Sequence, residues 1–302
     1  MLTASNAIIE QLGEEHRHVV SQWRALVLLR RATRDVEEAV RRWKRMPRTE
    51  SDIVPIVRTM VRGGQFDPLV EDPPIYRVVV PFARTYAPDV RDVVTEINPF
   101  AIVSHASALE FHGLIDTFLQ RPMFMTPSFS DHGLLPLGTV AEDWNDLTVP
   151  SPGTPTTVLD TAIEWHVSPK DEFFGFDVYQ PYGTSVRVMT PERALVEGLR
   201  TPTRCGGIEV VLSAWANARW NVDVDVIVQI TERLESTVLR QRVGFVLEDL
   251  GMQHPRLDEW SRSALRGGSS KLVAATPYAP EYSTRWKISL NAPVSILRAS
   301  HA

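Results

Sequence analysis

Thr49-Glu-Ser-Asp-Ile-Val-Pro-Ile-Val-Arg-Thr-Met-Val-Arg-Gly-Gly64, with the run from Phe66 to Val80 behind it, is the stretch on which the fold turns. Ile53, Val57, Met60 and Val61 recur at helical spacing, so a short helix is expected from Thr49 or Ser51. Pro55 then has to lie in or near the first turn, where its missing N–H matters least. Gly63-Gly64 stops the helix. Phe66 to Pro68 and Ile75 to Val80 are short extended runs. The break between them, Glu71-Asp72-Pro73-Pro74, makes the pair read as a hairpin.

Upstream, Ser21 is placed to cap a long helix reaching about Met46, with apolar residues at Leu29, Ala32, Val36, Ala39, Val40, Trp43 and Met46. A capping box formed by Asp35 and Glu38 offers a second start, with a break near Thr33. Pro47 ends the run in either case. Helix, helix, hairpin is the order of a winged helix-turn-helix, and a small α+β unit of another kind is the competing reading. Arg41, Arg42, Lys44 and Arg45, followed by Arg48, form the densest charge cluster of the chain. In a helix-turn-helix that corner meets phosphates, and the second helix enters the major groove with Thr49, Glu50, Ser51 and Asp52 leading and Arg58 and Arg62 on its polar side. The competing reading is a solvated helix face with Glu37–Arg41 and Glu38–Arg42 pairs.

Downstream, residues 84–100 read as a connector. Ser104 to His112 reads as a helix closed by Gly113. Residues 121–157 are rich in Pro, Gly, Ser and Thr and read as short strands and loops. Phe173–Tyr179 and Thr184–Met189 form a second expected hairpin around Pro181-Tyr182-Gly183. Thr190-Pro191 is a helix start with a capping hydroxyl and then proline at the first helical position. Helices are expected at 191–199, 207–218, 223–234, 236–250 and 257–266, and a late strand at Trp286–Leu290.

The 302 residues carry a net charge of −5, and 43% are hydrophobic. The sign is not uniform. Residues 1–70 sum to +3 and the rest to −8, which suits a basic head on a body that does not touch nucleic acid. Length favours about two domains. No apolar run is long enough to span a bilayer, and Met1 to Gly13 lacks the basic start of a secretory leader, so a cytoplasmic protein with no membrane partner is expected. The single cysteine, Cys205, excludes an intramolecular disulfide and a cysteine-based zinc site.

Enzyme motifs are not found. Phosphate loops of the G-x-x-x-x-G-K-S/T and G-x-G-x-x-G kinds do not occur, nor does a G-x-S-x-G elbow. His105 and His112 share a helix face but stand two turns apart, about 10 Å, too far to ligate one ion. Glu164-Trp165-His166 alternates on a strand. Glu192, Glu197, Glu248 and Asp249 sit on expected helices. Trp286-Lys287 has no acid two positions before the lysine, which argues against a nuclease. No metal, cofactor or catalytic residue is expected.

Four segments resemble AbiEi-type antitoxins of type IV toxin–antitoxin systems. They are Ala101-Ile-Val-Ser-His-Ala-Ser-Ala-Leu-Glu-Phe-His-Gly-Leu114, Val186-Arg-Val-Met-Thr-Pro-Glu-Arg-Ala-Leu-Val196, Arg242-Val-Gly-Phe-Val-Leu-Glu-Asp-Leu-Gly251 and Arg285-Trp-Lys-Ile-Ser-Leu-Asn291. They stand in the family's order. The family's wing motif is reduced here to Pro74-Ile75-Tyr76-Arg77, without its glycine. The resemblance implies an N-terminal winged-helix domain and a mixed α/β C-terminal antitoxin domain. It also implies repression of the protein's own operon through double-stranded operator DNA, and a companion nucleotidyltransferase-like toxin. Expected boundaries are 1–82 and 83–302, in an α+β chain that is not an enzyme. Tyr76 and Arg77 would touch DNA backbone from the wing. Arg193, in the first turn of its helix where a cation is disfavoured, is expected to hold a specific partner: a buried carboxylate, or a toxin or RNA. The other class left open is a non-DNA interaction protein whose acidic C-terminal domain binds a basic partner directly.

Overall fold

The computed structural model describes every residue except 82, 84–86, 117–119, 182–183, 265–269 and 300–302. The architecture is α+β, with helices and several small sheets. The chain divides into two compact units. The first is Met1–Ile102, Thr126–Trp165 and Val178–Arg187, and the second is Val103–Met125, His166–Asp177 and Val188–Ala302. The division differs from the expected cut after residue 82, because the first unit takes in later segments of the chain.

The first unit opens with α1 (Ala4–Glu14), β1 (Val19–Ser21), α2 (Gln22–Asp35), α3 (Glu50–Arg62), β2 (Phe66–Val70), β3 (Ile75–Val78) and α4 (Val90–Ile97). β1, β3 and β2 form one antiparallel sheet in that order, with Val20 opposite Tyr76 and Asp67 opposite Arg77. Ile8, Leu12, Val20, Leu26, Leu29, Ile53, Val57, Met60, Phe66 and Val78 pack into one core beneath them.

Ser21 caps α2 as expected, accepting from Arg24 N. The helix does not run to Met46; it ends at Asp35, and Val36 is extended. Residues 36–49 form an irregular connector. Leu2 lies alongside it, donating to Val40 O and accepting from Arg42 N, so the chain there answers to a bridge, not to helical bonds. The apolar spacing that suggested a longer helix is spent on exposure at Val40 and on packing at Trp43. The expected Glu37–Arg41 and Glu38–Arg42 pairs do not form. Lys44 sits 3.6 Å from Glu38 instead.

α3 starts with a capping box between Thr49 and Asp52. Pro55 lies in its second turn, one turn deeper than expected, and leaves the carbonyl of Ser51 without an i+4 donor. Gly63 closes the helix and Gly64 takes positive φ, +68°. The 84–100 connector contains α4, capped by Asp89.

α2 is buried on two sides. Trp23 and Val27 pack against Trp144, with Leu135, Leu147 and Val149 around them. Its arginines are consumed internally. Arg24 Nε donates to Glu96, which also accepts from Ser21 Oγ at 2.6 Å and Arg17 Nη1 at 3.3 Å. Arg31 and Arg34 both bind the buried carboxylate of Asp143. These ties hold α4 and residues 135–147 to the α2 face.

The remaining elements are β4 (Ile102–Val103), α5 (His105–Phe111), β5 (Met123–Pro127), β6 (Thr157–Val158), β7 (Thr161–Ala162), β8 (Glu164–Ser168), β9 (Phe176–Tyr179) and β10 (Val186–Met189). After them come α6 (Pro191–Arg200), α7 (Ile208–Ala218), α8 (Val224–Arg233), α9 (Thr237–Asp249), α10 (Arg256–Ser263), β11 (Tyr282–Ser283), β12 (Ile288–Ser289) and α11 (Ser295–Ala299). A five-stranded sheet runs β8-β5-β4-β10-β9, with β4 and β10 parallel, and the division into units passes through its strands. α6 to α10 fall where their periodicity placed them, α11 was not expected, and Thr190 caps α6 by accepting from Arg193 N. Residues 182–183 of the second expected hairpin, and the end of the last expected helix at 265–266, lie outside the described residues.

Candidate nucleic-acid interface

The outer face of α3 follows from its inner one. Ile53, Val57 and Met60 are buried on one side. Ser51, Pro55, Arg58 and Arg62 recur at the same helical spacing on the other and are exposed. Thr49, at the cap, is exposed, and its Oγ1 is 3.3 Å from Asp52 Oδ2. Asp52 also accepts from Arg48 N and Thr49 N, and these backbone bonds hold its carboxyl below the usual range.

The basic run occupies the connector that enters this helix. Arg42, Arg45 and Arg48 are exposed. Among the described residues no carboxylate lies within ion-pair distance of Arg42, Arg45, Arg48, Arg58 or Arg62. Several arginines elsewhere are ion-paired: Arg24 and Arg17 on Glu96, Arg200 on Glu172, Arg298 on Asp249, and Arg285 on Glu248 and Asp258. Five exposed guanidiniums without ion-pair partners, of which Arg48 also acts on Asp52 from a longer distance, form a positive surface that favours an anion.

Not every expected contact residue belongs to that surface. Arg41 is 8% exposed, with Nη1 donating to Trp43 O at 3.1 Å and the guanidinium 5.6 Å from the Trp43 ring. It braces the connector from inside and is not free to meet a phosphate, which corrects its place in the basic run. Lys44 is exposed but tied to Glu38 through both the carboxylate and, at 2.9 Å, the backbone carbonyl. On the hairpin, Tyr76 is half-buried and stacks on Phe66, ring centres 5.8 Å apart. Arg77 faces Asp67 across the strands at 3.5 Å.

Arg193 is 1% exposed, and its Nη2 donates to Glu197 Oε1 at 2.6 Å and to Glu172 O at 3.2 Å. The buried carboxylate is therefore its partner, and burial takes the guanidinium away from any outside contact. His112 Nε2 donates to Met189 O at 2.7 Å. His105 is fully buried beside Ser104 and His166, and burial together with the charges of His166, Arg204, Arg193 and Arg200 pushes its pKa down to about 3. Among the described residues no group of three or more His, Cys, Asp and Glu side chains is placed to hold a metal ion, and no helix is long and apolar enough to cross a membrane.

Sequence reading missed the arginine–carboxylate ties of α2. Four arginines at 24, 30, 31 and 34 among the apolar residues of one helix were the available signal, since buried cations need partners.

No family model matches the chain, and no curated protein matches it. The fold is similar to the crystal structure of the RV2827C protein from Mycobacterium tuberculosis, with a TM-score of 0.54 and 12% identity over 99% of this chain and 95% of that one. At that identity the likeness concerns the fold alone.

Proposed function

We propose that the protein is a DNA-binding regulator of the antitoxin kind, acting in the cytoplasm, whose N-terminal residues form a winged helix-turn-helix. The order α1, β1, α2, α3, β2, β3 with a β1-β3-β2 sheet supports that reading. α2 and α3 are the paired helices, α3 the reading helix and β2–β3 the wing. The 36–49 connector is longer than the usual turn between such helices, and it carries the cations. The observation that carries the proposal is the set Arg42, Arg45, Arg48, Arg58 and Arg62, exposed and, among the described residues, without ion-pair partners on one helix and its approach.

Arg42, Lys44, Arg45 and Arg48 are assigned to phosphates. Thr49, Ser51, Arg58 and Arg62 are assigned to base edges, and Tyr76 with Arg77 to backbone beside the wing. Repression of its own operon, and counteraction of a nucleotidyltransferase-like toxin, follow from the resemblance of the segments at 101–114, 186–196, 242–251 and 285–291 to AbiEi-type antitoxins. Titration of the intact protein against labelled duplex from immediately upstream of its own gene, beside a scrambled duplex, tests the proposal. Tighter binding to the upstream duplex is expected; equal or absent binding overturns it.

A further inference from the structure

In the first unit, the 43–48 connector together with α2 and α3 encloses a cleft of about 730 Å³, within the range of small-molecule sites. Leu29, Trp43, Met46, Pro47 and Ile56 supply a buried or half-buried apolar lining, and exposed Lys44, Arg45 and Arg48 supply charge. The one acid in the lining, Asp52, is spent on the α3 cap, accepting from Arg48 N at 2.9 Å and Thr49 N at 3.0 Å.

Two more guanidiniums stand behind the lining. Arg30 is 5% exposed and donates to Pro47 O at 2.8 Å and Asn145 O at 2.6 Å. Arg41 is held on Trp43 O. Both are bonded to carbonyls and not to carboxylates, and the Nε of each has no partner. An anion seated nearby offsets the cost of burying a cation, and for Arg30 Asp143 and Asp146 already offset part of it. Arg45 and Arg48 at the cleft, with Lys44 shared with Glu38 and two more cations behind, favour a dianion over a simple carboxylate. A phosphate monoester carries about −1.5 to −2 at neutral pH. The aromatic wall and apolar lining suit a flat ring attached to it.

We infer that this cleft binds a small phosphate ester bearing a flat base, of the mononucleotide class, with the phosphate on Lys44, Arg45 and Arg48 and the base against Trp43 and its apolar neighbours. Arg45 and Arg48 are also assigned to DNA, so the bound nucleotide excludes the duplex; that clause alone rests on the DNA-binding reading. Occupancy of the cleft would then release the operator in response to a soluble nucleotide.

The test is calorimetric titration of the intact protein with adenosine, guanosine, cytidine and uridine 5′-monophosphates. Adenosine and inorganic phosphate serve as the two half-ligands. At least one nucleotide is expected to bind one-to-one with a Kd between about 10 μM and 1 mM, and each half-ligand at least about tenfold more weakly. The double variant Arg45→Glu/Arg48→Glu changes only exposed side chains that form no ion pair. It should unfold at the parent's temperature and lose about tenfold or more in nucleotide affinity. No saturable binding below about 5 mM by any of the four overturns the inference. So does phosphate alone matching the best nucleotide, or a double variant that binds as the parent does. Adding the tightest nucleotide to the duplex titration should weaken DNA binding; unchanged duplex affinity removes the competition. Should the duplex fail to bind even without nucleotide, the DNA reading falls while the calorimetry still decides the cleft.

Discussion

The indole ring of Trp286 lies directly over the Cα of Gly244, so that a Cβ at position 244 would collide with Cη2 and Cζ3 of the ring. Trp286 is fully buried, and its Nε1 donates to Glu248 Oε2 at 2.7 Å while Gln241 Nε2 donates to its carbonyl at 2.9 Å. The glycine of the 242–251 segment and the tryptophan of the 285–291 segment are thus one packing unit on α9. Gly244→Ala is expected to lower stability by about 1–3 kcal/mol, because an added methyl forces the ring out of place. Trp286→Phe should cost stability alone yet relieve part of the Gly244→Ala penalty. Chemical unfolding of the four members of this cycle measures it; strict additivity would mean the two residues do not share the space.

Glu96 is the hub for Arg17 and Arg24, and with Asp143 it ties residues beyond 82 to α2. Glu96 is 2% exposed, as is Arg24, so Glu96→Gln takes the near carboxylate from buried Arg24, leaving it Glu15 at 3.8 Å, while Arg17 keeps Glu15 at 2.5 Å. A loss of about 3–5 kcal/mol is expected, the range for breaking a buried pair by removing one partner. A fragment of residues 1–82 lacks both acids and is expected to show no cooperative unfolding transition. A sharp transition in that fragment would mean the helices and hairpin stand without these ties.

How much of this was open to sequence reading depends on whether local signals agreed with long-range ones. α6 to α10 were legible because caps, periodicity and breakers coincided, as at Thr190-Pro191. α3 and its hairpin were legible for the same reason. α2 was overextended because Val36, Val40 and Trp43 keep helical spacing, and nothing local announces that Leu2 bridges to Arg41. α4 was missed although Asp89 caps it and Val93, Val94 and Ile97 are buried, because the segment was short and flanked by Pro. In the candidate interface, the cations named at 42, 45, 48, 58 and 62 are exposed. Arg41 is not, since its burial depends on a connector fold that the helical reading excluded.

His105 gives the second unit a pH dependence with a definite sign. Its pKa falls from 6.5 to about 3, burial first and then positive neighbours. The unfolded chain therefore binds a proton below about pH 6.5 that the folded chain refuses until about pH 3. The contribution is fully present above pH 6.5 and is lost as pH falls, at up to about 1.4 kcal/mol per pH unit. Denaturant unfolding between pH 7 and 5, a window above most carboxylate titrations, should show this slope in the parent and a shallower one in His105→Asn. Equal slopes would assign the acid sensitivity to another group.

If Arg42, Lys44, Arg45 and Arg48 neutralise phosphates, log affinity for duplex should fall with log salt by about 0.9 per contact. Reversing Arg42, Arg45 and Arg48 together should flatten that slope by about 2–3 and weaken specific and scrambled duplexes alike. Arg41→Gln, a buried position, should instead lower stability with little change in slope. A slope unaltered by the triple reversal would place any DNA contact elsewhere.

Sequence reading, as opposed to backbone binding, falls to the outer stripe of α3. Ser51 and Arg58 lie seven residues apart, on one line with Arg62, and Arg58 has no carboxylate within ion-pair distance. That matters because the structural alternative for Arg58 is a pair with Asp52 or Asp67 on the domain's own surface. Asp52 is committed to the helix cap and Asp67 faces Arg77. A guanidinium held on a rigid helix with no internal partner can lie bidentate on a guanine edge, while Ser51 accepts or donates to either base of a pair. Ser51→Ala and Arg58→Ala are each expected to cost about 1–3 kcal/mol on the upstream duplex and much less on a scrambled one. Pro55 sits between them on the same stripe; a small residue there leaves the stripe closer to the groove, so Pro55→Ala should keep the preference for the upstream duplex. Parallel titrations of both duplexes at one fixed salt measure the ratio. A specificity ratio unmoved by Ser51→Ala and by Arg58→Ala would rule α3 out as the reading helix, even if the connector cations still bind DNA.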